Sequence, residues 1–168
     1  MPTPTTAAPQ IRRVVRYFRR LKAIYNGISH DRPSEELEDD AYSFFLHCHQ
    51  LKDWVKHDPP LARLGDVEDF INRSPELRIC ADLCNTSKHF KLTRKLRSTV
   101  NPTPGAKTFG LEITLDKPEP PVIRVQYEIE TTAGKRDALE IATKCISAWA
   151  GFLGIDAAAF EFVDSAGL

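Results

Sequence analysis

The sequence lacks most of the short patterns that mark a common catalytic fold or a membrane protein. Its eight glycines are scattered, with no GxGxxG or GxxxxGK[ST] phosphate loop and no GxSxG nucleophile turn. No uninterrupted apolar run reaches the roughly 18 residues that a membrane span needs. The opening stretch "MPTPTTAAPQ" has no apolar segment of the kind found in secretory signals. We therefore expect a cytoplasmic protein that does not enter the membrane.

Net charge and cysteine spacing argue against two further classes, highly basic nucleic-acid-binding proteins and disulfide-rich extracellular proteins. The chain has 23 basic and 23 acidic residues, so no overall field directs it toward nucleic acid or a membrane surface. Its cysteines form no CxxC pair and no spacing typical of an extracellular disulfide framework. They are Cys48, Cys80, Cys84 and Cys145. These features favour a reduced protein with buried thiols, and we expect no metal and no cofactor.

The spacing of apolar residues predicts a mainly α fold. From Ile11 to Tyr25 apolar residues recur at steps of three and four, and the opposite face is basic. A second helix runs from Ser34, through acidic first turns, to Asp58 before two prolines. Shorter apolar patterns predict helices at about 61–71 and 75–90, and a last helix from the N-cap Asp137 to about residue 154. The basic face of the first helix consists of Arg12, Arg13, Arg16, Arg19, Arg20 and Lys22.

Two stretches alternate apolar and polar residues with the period of a strand. Phe109, Leu111, Ile113 and Leu115 form the first set, and Ile123, Val125, Tyr127 and Ile129 form the second. The sequence therefore predicts a bundle of four to five helices with a β-hairpin insertion at about 107–130, before the last helix. It predicts a single domain over 10–154, a disordered lead over 1–9 and a C-terminal tail over 155–168.

The stretch "CADLCNTSKHF", residues 80–90, is rich in side chains that do chemistry. On a helix, Arg78, Asp82, Asn85 and His89 follow one line at steps of four, three and four. Asp82 is then placed to orient Arg78, and Asn85 to fix the tautomer of His89. The same line is also what the solvated edge of an ordinary helix shows.

Other polar groups offer two more candidate surfaces. His49 and Asp53 lie one turn apart on the second helix, as a base and its orienting group do, or as a surface pair does. If this helix packs antiparallel to the 75–90 helix, His49 and His89 can meet. The basic run "KHFKLTRKLR" (88–97) and the basic face of the first helix suit phosphate contacts. The alternative is that the first helix pairs with the acidic "SEELEDD" that starts the second.

The motifs "HQLKDW" (49–54) and "CADLCNTSKHF" (80–90) resemble those of a group of uncharacterised bacterial proteins with variants of "HLKDW" and "CADLANxSKH". That group in turn resembles the HEPN superfamily, all-helical domains of bacterial toxins, defence systems and RNA-processing enzymes. The resemblance covers residues 34–92. It implies a homodimer whose composite site cuts RNA without metal, using an arginine, a polar residue and a histidine. Asn85 and His89 match the last two, whereas Cys84 occupies the arginine position and cannot stabilise charge on phosphate.

Two functional hypotheses follow. In the first, the chain is a HEPN-like domain that binds RNA, with His89, Asn85 and Lys88 as the catalytic set of a degenerate ribonuclease. Its substrate-binding residues would be Arg78, Asp82, His49, Asp53 and Arg94. In the second, the chain is a non-enzymatic module that binds a protein partner with its hairpin edge and helix faces. The missing arginine favours the second hypothesis, and the polar line and the basic run favour the first.

Overall fold

A computed structural model describes residues 6–29, 31–88, 95–112 and 121–160, which form a mainly helical fold with a small antiparallel sheet. The helices are α1 (Ala8–Asn26), α2 (Ser34–His57), α3 (Pro59–Ala62), α4 (Val67–Arg73), α5 (Pro75–Lys88), α6 (Ala138–Leu153) and α7 (Ala157–Phe160). The strands are β1 (Ile28–Ser29), β2 (Thr103–Glu112), β3 (Val122–Thr131) and β4 (Gly134–Asp137). Within these residues no helix has both the length and the apolarity needed to cross a bilayer.

The helix α1 begins earlier than its apolar stripe. It starts at Ala8, inside the segment 1–9 that the sequence predicted to be disordered. Ala7 is fully buried, and its backbone N–H donates to the buried carboxylate of Asp58 at 2.8 Å. Because Asp58 follows the end of α2, this bond joins the start of α1 to the C-terminal end of the neighbouring helix.

The predicted helix over 61–71 is divided into two short helices. Between α3 and α4 the chain turns at Gly65, whose φ of 143° is a conformation that other residues rarely adopt. Asp66 then caps α4, since its side chain accepts from the N–H groups of Glu68 and Asp69. The turn at Gly65 and the cap at Asp66 divide the single helix that the apolar spacing predicted.

The buried core lies where α2, α5 and α6 meet α1 and one face of the sheet. Trp149 of α6 is fully buried, with its ring centroid 5.1 Å from that of Phe70. Phe18 and Phe44 meet between α1 and α2 at 5.7 Å. The segment predicted as a C-terminal tail also contributes, because α7 buries Phe160.

The sheet contains the predicted β2–β3 hairpin and two short strands besides. β2 pairs antiparallel along one edge of β3, while β1 and β4 pair with its opposite ends. Val125, Tyr127 and Ile129 are buried, which confirms the predicted inner face of β3. Phe109, opposite Val125, is 52 % exposed, so the predicted burial is wrong at that position of the outer strand. Of the remaining residues of that alternation, Ile113 and Leu115 lie outside the described residues, as does the side chain of Leu111.

Tyr25 joins the helices to the sheet. Its hydroxyl accepts from the backbone N–H of Tyr127 at 3.0 Å and donates to Asp137 at 3.0 Å. Burial, together with the nearby carboxylate, raises the pKa of this phenol above its usual range. Asp137 also accepts from the N–H of Glu140, which confirms it as the N-cap of α6.

Candidate functional site

The described residues include only part of the polar line predicted on α5. His89 and Arg94 lie outside them, as does the side chain of Lys88. The predicted meeting of His49 and His89 is therefore outside the described residues as well. Arg78, Asp82 and Asn85 are described, with Asn85 half-buried.

Asp82 faces inward and is only 1 % exposed. One carboxylate oxygen accepts from the backbone N–H of Arg97 at 2.9 Å. The other accepts from the backbone N–H and the hydroxyl of Ser98, at 2.7 and 2.6 Å. The expected ion pair with Arg78 is absent from the described part of the chain. Asp82 instead holds the backbone of residues 97–98, where the chain returns toward the sheet. The sequence predicted this residue to bind substrate, whereas its described contacts stabilise the fold.

Arg78 lies at a small cleft between α5 and the sheet. The cleft has a volume of about 160 Å³, and its lining includes Arg78, Ser98, Thr99 and Arg136. The Nε of Arg78 is buried without a hydrogen-bond partner among the described residues. Arg136 is already bonded to carboxylates, with Glu140 at 3.1 Å. A cleft of this size with one unsatisfied guanidinium N–H suits a small anion, and a role for Arg78 in substrate binding stays a prediction.

The second predicted pair, His49 and Asp53, lies on the edge of α2 that borders an ion-pair network. His49 is half-buried, and the exposed carboxylate of Asp53 accepts from Lys52 at 2.9 Å. The centre of the network is Glu68 of α4, which sequence reasoning missed because it belongs to no motif. It accepts from Lys52 at 3.2 Å and from Arg97 at 2.7 Å.

The ion pairs of Glu68 neutralise part of the positive charge carried by Lys52, Lys56 and Arg97. Burial alone would raise the pKa of Glu68, but hydrogen bonds and charge from Lys56, Arg97 and Lys52 lower it to about 2. Glu68 is therefore ionised at neutral pH and neutralises part of the basic cluster around it. Arg97, the last cation of the predicted basic run, is therefore paired with Glu68.

A different surface combines positive charge with rings. We call it the Arg–ring face and define it as Arg13, Arg16, Tyr17 and Arg20 of α1 with His47 and Trp54 of α2. The rings of Tyr17 and His47 stack with centroids 4.9 Å apart. The guanidinium of Arg20 lies 5.1 Å from the Tyr17 centroid, and that of Arg13 lies 5.8 Å from the Trp54 ring. These distances are within the range of cation–π contacts.

The charges of the Arg–ring face are only partly neutralised. Arg20 pairs with Asp40 at 3.0 Å, so the predicted pairing of the first helix with the acidic start of the second is realised at this position. Arg13 and Arg16 are exposed, and neither makes an ion pair with a described residue. Burial and the charge of these two arginines lower the pKa of His47, which favours its neutral form. Positive charge is thus available at the middle of the face.

Three cysteine thiols converge in the buried core of the fold. Cys48 of α2, Cys80 of α5 and Cys145 of α6 are fully buried, and their Sγ atoms lie within 4.8 Å of one another. The prediction of buried thiols is confirmed. Their convergence gave no signal in the sequence, because the three residues come from three separate helices.

Comparisons of the chain with models of protein families, with curated proteins and with solved structures find no match.

Proposed function

We propose that the chain is a nucleic-acid-binding domain that holds single-stranded RNA on the Arg–ring face. The observation that carries this proposal is the placement of partly exposed rings between arginines on one surface. Arginine contacts with the phosphate backbone supply affinity without sequence preference. Partly exposed rings add stacking of about 1–3 kcal/mol per base, which single strands can exploit and paired strands cannot.

The relationship to HEPN domains is part of this proposal, in a form that binds RNA without cutting it. Cys84, at the position of the motif arginine, is 1 % exposed. A buried neutral thiol supplies no positive charge to a phosphate in the transition state. Asp82 is likewise committed to the backbone of residues 97–98. The enzymatic form of the hypothesis would depend on His89, Asn85 and Lys88 at a composite dimer site.

The binding test measures fluorescence anisotropy of a labelled, mixed-sequence single-stranded oligoribonucleotide. Replacing Arg13 and Arg16 together by alanine should weaken binding about tenfold or more, because two phosphate contacts are lost. The matched control replaces Arg73 and Lys135, two exposed cations on other elements, and should bind like wild type. Absence of binding by the wild-type chain, or equal weakening in the control, contradicts the proposal.

Two further experiments distinguish the contribution of stacking from that of charge, and RNA binding from RNA cleavage. Trp54→Ala should weaken binding by the value of about one base stack, 1–3 kcal/mol, while leaving the dependence on salt unchanged. Incubation of the same RNA without metal compares the wild-type chain with His89→Ala. Cleavage that disappears in the His89 variant would establish the ribonuclease form, whereas intact RNA with retained binding supports the non-cutting form.

A second candidate function, a protein-interaction module, is favoured by the outer edge of the sheet. β2 pairs with β3 on one side, and its other side has no strand partner in the described ranges. The 52 % exposed Phe109 lies on this strand. An open edge with an exposed aromatic side chain suits the addition of a strand from another chain. Light scattering of the wild-type chain and Phe109→Lys tests a second copy as that partner, since the variant should lose any dimer while retaining RNA binding.

A further inference from the structure

We propose that Cys48, Cys80 and Cys145 form a binding site for a soft metal ion, with Cu(I) as the ion that fits best. The three sulfurs come from α2, α5 and α6 and meet in the core. The group contains no carboxylate and no imidazole. Thiolate sulfur is the ligand that selects soft ions such as Cu(I) over hard ones such as Mg²⁺. This site goes beyond RNA binding and does not depend on it.

The separation of the sulfurs suits one ion placed between them. With metal–sulfur distances of about 2.3 Å, a trigonal centre needs sulfurs about 4.0 Å apart. The present separations, all within 4.8 Å, reach that value by shifts of less than about 1 Å. Small rotations of the three cysteine side chains can supply such shifts without moving the helices. The site is therefore nearly preformed.

The number of donors decides between candidate ions. Zinc in a structural site takes four protein ligands in a tetrahedron, and a three-ligand zinc site adds water. Here three sulfurs converge, and each of the three residues is fully shielded from solvent. Cys84 lies one turn after Cys80 but is not a member of the group. A dry site with three sulfur donors matches the three-coordinate geometry that Cu(I) accepts.

The indole of Trp149 places an N–H group beside the thiol of Cys48. The Nε1 of Trp149 is buried without a well-aligned partner of its own, so this N–H is available to a sulfur anion. Binding of Cu(I) by two thiolates and one thiol releases two protons and leaves one net negative charge.

The experiment is an anaerobic titration of the reduced full-length chain into a coloured Cu(I)–chelator complex. Wild type should withdraw one Cu(I) per chain, and Cys145→Ala should withdraw at least tenfold less. Cys84→Ala is the matched control, since it removes a buried thiol of α5 outside the group, and it should still withdraw one ion. Circular dichroism of each variant shows whether it is folded, and unchanged RNA binding by Cys145→Ala would separate this site from the Arg–ring face.

X-ray absorption of the copper-loaded wild type gives a readout that needs no variant. Three sulfur neighbours at about 2.3 Å are expected. The proposal is overturned if wild type leaves the chelator complex unchanged, or if Cys145→Ala withdraws copper as well as wild type does. Preference for Zn²⁺ over Cu(I), with loss of binding in Cys84→Ala, would replace the three-sulfur copper site by a four-sulfur zinc site.

Discussion

Replacing Asp82 by asparagine tests whether this residue holds the fold together or awaits a ligand. The carboxylate accepts three hydrogen bonds from Arg97 and Ser98 in a buried setting. An amide of the same shape has only one accepting oxygen, so one side of it must place an NH₂ group against a backbone N–H. Hydrogen bonds to a charged partner contribute about 1.5–3 kcal/mol each, and a buried donor left unsatisfied costs about 1–3 kcal/mol.

We therefore expect Asp82→Asn to lower the free energy of unfolding by about 2–3 kcal/mol and Asp82→Ala by about 4 kcal/mol. Urea denaturation followed by circular dichroism measures both changes. Asp53→Asn is the control, because Asp53 is exposed and its ion pair with Lys52 should contribute less than about 1 kcal/mol. If both Asp82 variants stay within about 0.5 kcal/mol of wild type, the residue does not anchor residues 97–98, and the ligand-binding interpretation regains its support.

The other predictions concern pH and the junction of helix and sheet. Because folding lowers the pKa of Glu68 from its ordinary 4.5 to about 2, its stabilising contribution is complete above pH 4.5 and is lost as the pH falls toward 2. With 31 % of this side chain exposed, we expect Glu68→Gln to cost about 1 kcal/mol at pH 7 and nearly nothing at pH 2, and a cost independent of pH would contradict this. Tyr25→Phe should cost about 1–2 kcal/mol at neutral pH by urea denaturation, since it leaves the N–H of Tyr127 without its partner. An unchanged midpoint would show that water replaces the hydroxyl without loss.

The coarse fold could be predicted because long periodic segments carry their own signal. The apolar stripe from Ile11 to Tyr25 was sufficient to predict helix α1. The alternation from Ile123 to Ile129 was sufficient to predict strand β3. Shorter elements could not be found in this way, since β1 and β4 have two and four residues and so show no period. Phe109 was misassigned because alternation identifies a face of a strand without showing whether a helix covers it.

The candidate sites depend on contacts between elements distant in sequence, which periodicity does not reveal. A helical projection placed Asp82 on a polar line, but its partners lie 15 and 16 residues later. Trp54 joins Arg13 only through the packing of α2 on α1. The three thiols were predicted to be buried, yet only the arrangement of three helices brings them together.

The most direct test of RNA binding on the Arg–ring face is the slope of log affinity against log salt concentration. Each phosphate contact with a single strand contributes about −0.7 to that slope. Replacing Arg13 and Arg16 by alanine should make the slope shallower by about 1.4, while the Arg73 and Lys135 control keeps the slope of wild type. A wild-type chain that binds RNA with the same slope as the Arg13 and Arg16 variant would show that the RNA lies elsewhere, and would contradict the proposed function.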